Sequence, residues 1–151
     1  MSGIIKVSEA VSLALHSVLY LARRGQGPVR TQEIADTFGV SVHHLAKVHQ
    51  RLVRVGILRS NRGPRGGVVL DRDPAELTLL ELYESMEGRL ESGPCVFGRP
   101  VCDRHECLFG DLVSSINRQA REYFGTTTIG DLAKGWKGKE EESESESESE
   151  S

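Results

Sequence analysis

Residues 31–56 read TQEIADTFGVSVHHLAKVHQRLVRVG, two short amphipathic segments joined by a tight turn at Gly39. The first segment has Thr31 as a candidate N-cap, and Gly39 provides a left-handed stop at its end. The second segment has Ser41 as a candidate N-cap and ends before Gly56. Its apolar residues recur at helical spacings of three and four: Val42, Leu45, Val48, Leu52 and Val55. Two short helices joined by a glycine turn are typical of a helix-turn-helix.

A β-hairpin is predicted immediately after this unit. Two short β-prone runs, at 57–58 and 68–70, flank the segment RSNRGPRGG at 59–67, whose glycines and proline require a turn. Arg62 and Arg65 lie at the tip of this turn. We interpret a basic hairpin that directly follows the second helix of a helix-turn-helix as a wing.

Helices are predicted on both sides of this unit. Residues 8–24 have one apolar face, and residues 79–87 follow the capping-box sequence TLLE at 78–81. A longer helix, at about 108–124, is indicated by apolar residues that recur every four positions: Leu108, Leu112, Ile116, Ala120 and Phe124. That long seam fits packing against a second copy of the chain, and it also fits an ordinary core. The predicted fold class is mainly α with a small β-hairpin wing: a winged helix-turn-helix plus a long dimerisation helix.

The second helix of the helix-turn-helix has a basic, polar face opposite its apolar face, as a recognition helix requires. Its N-terminal half would face base edges, whereas Arg51 and Arg54 are expected near phosphates. The candidate DNA-binding residues are Thr31, Ser41, His43, His44, Lys47, Arg51, Arg54, Arg59, Arg62 and Arg65. A solvated basic helix beside a flexible loop is the alternative interpretation. The order of turn, helix and basic hairpin favours binding to double-stranded DNA.

The charge of the chain is divided between a basic body and an acidic end. Seven of the 22 acidic residues lie in the Glu-Ser repeat within 137–151, which leaves 15 acidic residues against 19 basic ones. The repeat is predicted to be a disordered tail. We therefore divide the chain into a winged helix-turn-helix domain at 1–90, a cysteine loop and dimerisation helix at 91–136, and the tail.

Several classes of protein do not fit the sequence. It has no run of 18 apolar residues for a membrane span and no basic, apolar start of a signal peptide, so a cytoplasmic protein is expected. It has neither a phosphate-binding glycine loop nor paired carboxylates near the cysteines, so an enzyme is not expected. A protein-interaction adaptor that does not bind DNA remains an alternative. Such an adaptor would be expected to have an apolar or acidic recognition face, whereas the face here is basic and polar.

Residues 7–87 resemble the Rrf-type family of winged helix-turn-helix transcriptional regulators, the IscR- and NsrR-like proteins. The matching segments are SLALH at 12–16, QEIA at 32–35, VSVHHLAKV at 40–48 and RGPRGG at 62–67. The similarity continues through three cysteines and a long helix to TTTIGDLA at 126–133. The resemblance implies a homodimer whose long helix crosses its partner and which binds a near-palindromic operator. We expect such a regulator to act as a repressor.

Three cysteines, Cys95, Cys102 and Cys107, lie within 13 residues of a loop flanked by glycine and proline. Their thiolates can converge on one metal centre, and thiolates suit iron–sulfur clusters or zinc. In the Rrf-type family three such cysteines bind a cluster that senses iron, oxygen, nitric oxide or redox state. The resemblance therefore implies a [2Fe–2S] or [4Fe–4S] cluster here, with Glu9 or His105 as the candidate fourth ligand.

Two alternatives to a cluster remain open for this loop. A structural zinc ion would be held by the three cysteines together with His105. The cysteines would otherwise be uncoordinated thiols, either buried or redox-active.

Overall fold

The computed structural model describes residues 5–90, 108, 109 and 111–135. Within these ranges it has six helices and one two-stranded antiparallel sheet: α1 Glu9–Arg24, α2 Thr31–Phe38, α3 Val42–Arg54, β1 Leu58–Asn61, β2 Gly67–Leu70, α4 Leu79–Glu87, α5 Leu112–Thr126 and α6 Ile129–Gly135. The predicted fold class, mainly α with a hairpin wing, is confirmed. The predicted cysteine loop, with Cys95, Cys102, His105 and Cys107, and the acidic tail lie outside the described residues.

Most of the predicted helix boundaries follow from local capping. The hydroxyl of Ser41 accepts a hydrogen bond from the His44 N–H at 3.3 Å, and that of Thr78 accepts one from the Glu81 N–H at 3.1 Å. Gly39 ends α2 with a φ of 65°, in the left-handed region that favours glycine. Thr31 was wrongly predicted as the cap of α2, because the helix begins at that residue. The N-cap is Arg30, whose side chain makes no capping hydrogen bond.

Helix α1 lies at the centre of the core and contacts α3, α4, α6 and β2. Its buried residues are Val11, Leu13, Ala14, Ser17, Val18, Leu19 and Leu21. The inward faces of α2 and α3 contribute Ile34, Leu45 and Leu52 to the same apolar cluster. Burial of these side chains is the main source of stability, and it fixes one face of α3 against α1.

The wing is fastened to the segment that precedes α2. Strands β1 and β2 pair from Leu58 with Leu70 to Asn61 with Gly67. The N–H of Val29 donates to the Val68 carbonyl at 3.0 Å, and the N–H of Val68 donates back to the Val29 carbonyl at 2.8 Å. Gly67 has a φ of 152°, and a Cβ at this position would overlap the Val29 carbonyl. Only glycine allows this close approach.

Helix α5 partly buries the C-terminal part of its predicted apolar seam and exposes the start of the seam, at Leu112. Val113 and Tyr123 lie beside the seam. Val113 is buried, while the Leu112 and Tyr123 side chains are 55% and 56% exposed. Leu108 is 84% exposed and precedes the helix, which starts at Leu112 rather than at the predicted 108. The seam is therefore neither wholly core nor wholly surface.

No helix in the described part of the chain is both long enough and apolar enough to cross a membrane.

Candidate nucleic-acid interface

The outer face of α3 is polar, basic and exposed, while its inner face is buried. Leu45, Val48 and Leu52 pack into the core. The exposed residues on the outer face are His43, Lys47, Gln50, Arg51 and Arg54. The fold thus fixes α3 by its inner face and leaves the outer one available for contact with a groove, as a recognition helix requires.

His49 is a buried polar residue that links α3 to both preceding helices. Its Nδ1 lies 3.0 Å from the Thr31 hydroxyl oxygen, and its Nε2 lies 3.0 Å from the Ser17 hydroxyl oxygen. Burial lowers the pKa of His49 from 6.5 to about 4, because the interior disfavours the charged imidazolium. The ring is therefore neutral near pH 7 and bonded at both nitrogens.

Thr31 and Arg51, which are among the candidate DNA-binding residues predicted from the sequence, form hydrogen bonds to other helices of the protein. The half-buried hydroxyl of Thr31 is bonded to His49. The Arg51 Nε donates to the Ser85 carbonyl near the end of α4, at 2.9 Å. Arg51 is nevertheless exposed and keeps further N–H groups that could donate to a phosphate. Sequence reasoning gave His49 no role, although its spacing of four residues from Leu45 placed it on the buried face.

His44 lies beside the start of α1. Its Nδ1 is 3.6 Å from the Glu9 Oε1, and the Glu9 side chain is 71% exposed. Glu9 therefore has one neighbour on the recognition helix and remains accessible from solvent. It is also the only candidate fourth ligand that lies within the described ranges.

The basic residues of the wing are exposed. Arg62 and Arg65 occupy the turn between the strands, where Gly63 has a φ of 102°. Arg59, at the base, lies 4.0 Å from the Asp71 carboxylate. In residues 5–90 no ion pair involves Arg62 or Arg65. The positive charge of the tip is therefore not neutralised by a carboxylate from that part of the chain.

The described residues contain no cluster of three or more histidine, cysteine, aspartate or glutamate side chains that could hold a metal ion. The three candidate cysteine ligands lie outside those residues.

The family profile of Rrf2, described as an iron-dependent transcriptional regulator, matches residues 7–135. The chain belongs to the Rrf2 family. Membership agrees with the winged helix-turn-helix formed by α2, α3 and the hairpin, and makes the protein a DNA-binding transcriptional regulator rather than an enzyme.

Relatives with known names cover most of the chain. A putative helix-turn-helix transcriptional regulator of Aquifex aeolicus is 29% identical over 128 residues, which cover 83% of this chain and 89% of that protein. The regulator IscR of Xenorhabdus nematophila is 26% identical over 133 residues, which cover 87% of this chain and 76% of IscR.

CymR is similar to this Rrf2 protein in both sequence and structure. CymR of Bacillus subtilis is 28% identical over 138 residues, which cover 91% of this chain and 96% of CymR. A solved structure of CymR, the global cysteine regulator of that organism, matches with a TM-score of 0.75 and covers 89% of this chain and 100% of CymR. CymR thus shares the fold of this chain, and the relatives of similar sequence bear different regulatory names.

Proposed function

We propose that this Rrf2 protein is a homodimeric repressor that binds a near-palindromic duplex operator. The exposed basic face of α3 is the observation that carries the proposal. Its N-terminal half would read base edges in the major groove, through His43, His44 and Lys47, with Ser41 at the cap. Arg54 would contact phosphates, and the wing arginines would reach the backbone or an adjacent minor groove.

The proposed dimer is supported by the apolar surface of α5. Leu112 and Tyr123 are more than half exposed, and Leu108 and Phe109 extend the apolar surface before the helix. Burying such a patch is favourable by about 25 cal/mol per Å². A second copy would cover it and, by two-fold symmetry, would place two recognition helices about one DNA turn apart.

We further propose that residues 91–136 form the sensory part, next to a DNA-binding domain at 1–90 and an acidic tail at 137–151. Three thiolates close in sequence form a donor set that suits an iron–sulfur cluster, and the Rrf2 profile is described as iron-dependent. Cys95, Cys102 and Cys107 would hold the cluster. Glu9, with an accessible carboxylate, or His105 would be the fourth ligand. When bound, the cluster would supply sensitivity to redox state, iron or nitric oxide.

A cluster-free sensor is the second candidate for the same loop. CymR is the global cysteine regulator of Bacillus subtilis, and it aligns over nearly its whole length with this chain. Here the three cysteines would act as redox-active thiols or hold zinc with His105.

Two experiments separate these proposals. Binding to a fluorescein-labelled duplex, obtained by in vitro selection with the unmodified protein, is compared for Lys47→Ala and Lys134→Ala. Only Lys47→Ala should weaken binding, because Lys134 is an exposed lysine of α6 outside the helix-turn-helix and wing. Equal effects of the two substitutions would contradict the assignment of α3.

The sensor is tested by anaerobic purification with iron, sulfide and zinc analysis of the wild type and Cys102→Ala. Matched iron and sulfide that are lost in Cys102→Ala would support the cluster. Zinc alone, or no metal even after reconstitution, would refute the proposal of a cluster. It would not bear on the proposal that the protein binds DNA.

A further inference from the structure

Arg30 is not among the DNA-binding residues predicted from the sequence, yet it contacts the wing. Its guanidinium Nη2 donates to the carbonyl oxygen of Pro64 at 2.6 Å. Pro64 lies in the turn between the two arginines of the tip, Arg62 and Arg65. A single side chain thus joins the residue that precedes α2 to the part of the wing that carries the exposed positive charge.

This contact supplements a second attachment of the wing. The reciprocal backbone hydrogen bonds between Val29 and Val68 fasten β2 where the hairpin leaves its turn. Arg30, the residue that follows Val29, adds another attachment through its hydrogen bond to Pro64 in the turn itself. Two attachments restrict the orientation of a short hairpin more than one does, so Arg30 limits how the tip can move relative to α2.

The position of Arg30 in the chain favours a role in the wing over a role in the helix. Arg30 is the N-cap of α2, a position where serine, threonine, aspartate and asparagine are preferred because their oxygens accept backbone N–H groups. A guanidinium has no acceptor, and no side chain caps α2. The residue therefore leaves the helix start uncapped while its side chain bonds to the wing.

The charges near the tip indicate an anionic partner. Arg30, Arg62 and Arg65 are all exposed, and none forms an ion pair within the described residues. A guanidinium carries five N–H donors, and the bond to Pro64 accounts for one in Arg30. The phosphate backbone of DNA is an anion that such a group recognises well.

We propose that Arg30 is a positioning residue for DNA binding. It holds the wing tip against the start of α2, so that Arg62 and Arg65 are already oriented before the duplex binds. Binding then does not have to include the entropic cost of ordering the hairpin. The inference rests on the wing–DNA contact proposed above.

The test uses Arg30→Ser, because serine can cap α2 but cannot reach the wing as arginine does. We expect the urea midpoint to stay unchanged or rise, while affinity for the selected duplex falls about tenfold. In an Arg65→Ala background the same substitution should have a much smaller effect, because the tip has already lost the contact that Arg30 positions. Arg72→Ser is the matched control, since Arg72 is an arginine bonded to Glu81 of α4 rather than to the wing tip.

The outcomes distinguish this inference from the wing proposal beneath it. If Arg65→Ala binds the duplex as tightly as the wild type, the wing–DNA contact is wrong. If Arg65→Ala weakens binding but Arg30→Ser matches Arg72→Ser, positioning by Arg30 is refuted. Equal losses from Arg30→Ser in both backgrounds, or a loss of affinity matched by a loss of stability, would also overturn it.

Discussion

Acid should destabilise this protein through His49, because the folded state holds the imidazole neutral between two hydroxyls. Burial lowers the pKa of His49 from 6.5 to about 4. Between these values the unfolded chain binds a proton that the folded chain does not bind. The free energy of unfolding is therefore highest above pH 6.5 and decreases as the pH falls toward 4.

The two pKa values set the size of the effect. They give a loss of about 2 kcal/mol between pH 7 and pH 5 for this one group. A change of that size is a large part of the stability of a typical small domain. It also exceeds what an exposed histidine contributes, because only a buried ring has to lose its proton in order to fold.

Urea unfolding, followed by circular dichroism at pH 7, 6 and 5, measures this loss. Because acid acts on more than one group of the protein, the measured quantity is the difference between the wild type and His49→Gln, whose amide can donate to one hydroxyl and accept from the other. The wild type should lose about 2 kcal/mol more than His49→Gln over this range. His43→Gln, which removes an exposed histidine of the same helix, should retain the wild-type profile. Parallel profiles for the wild type and His49→Gln would refute the reasoning.

Four further predictions concern the wing, the attachment of the wing to Val29, the proposed dimer and the cysteines. Arg65→Ala should weaken binding to the selected duplex and lower the slope of log K against log salt by about 0.9, as titrations at several salt concentrations would show. Gly67→Ala should disrupt the attachment of the wing to Val29, so its affinity for the same duplex should fall even where circular dichroism shows a folded protein. Leu112→Asp should shift the protein from dimer to monomer in sedimentation velocity, because Leu112 is more than half exposed in one chain and its loss leaves the core intact. Cys102→Ala should contain less iron and sulfide than the wild type after anaerobic purification; equal contents would contradict cluster binding through this residue.

The sequence was sufficient for those parts of the fold that depend on local chemistry. Ser41 and Thr78 were predicted as caps because their hydroxyls bond to N–H groups three residues away, and no distant residue is needed for that contact. The glycine-rich hairpin was predicted because its glycines and proline require a turn, which is also a local property of the chain. The start of α2 was misplaced because Thr31 has the chemistry of a cap, while its hydroxyl is bonded to His49, 18 residues later.

Contacts between distant segments were not predictable from a single sequence. The bond from Arg30 to Pro64 spans 34 residues, and so does that from Arg51 to Ser85. In the sequence, nothing distinguishes these two arginines from any other exposed basic residue. Helical periodicity places a side chain on a face of its helix but does not identify the residue that meets it across the fold.

The contacts of α3 divide its polar residues into two groups that sequence periodicity alone does not separate. One group holds the helix in place: His49 bonds to α1 and α2, and Arg51 bonds to α4. The other group, with Lys47 and Arg54, is exposed and makes no ion pair within the described residues. Three elements thus fix the orientation in which the second group faces outward. Loss of a holding contact should weaken binding to every duplex alike, whereas loss of a base-reading contact should change which duplex is preferred.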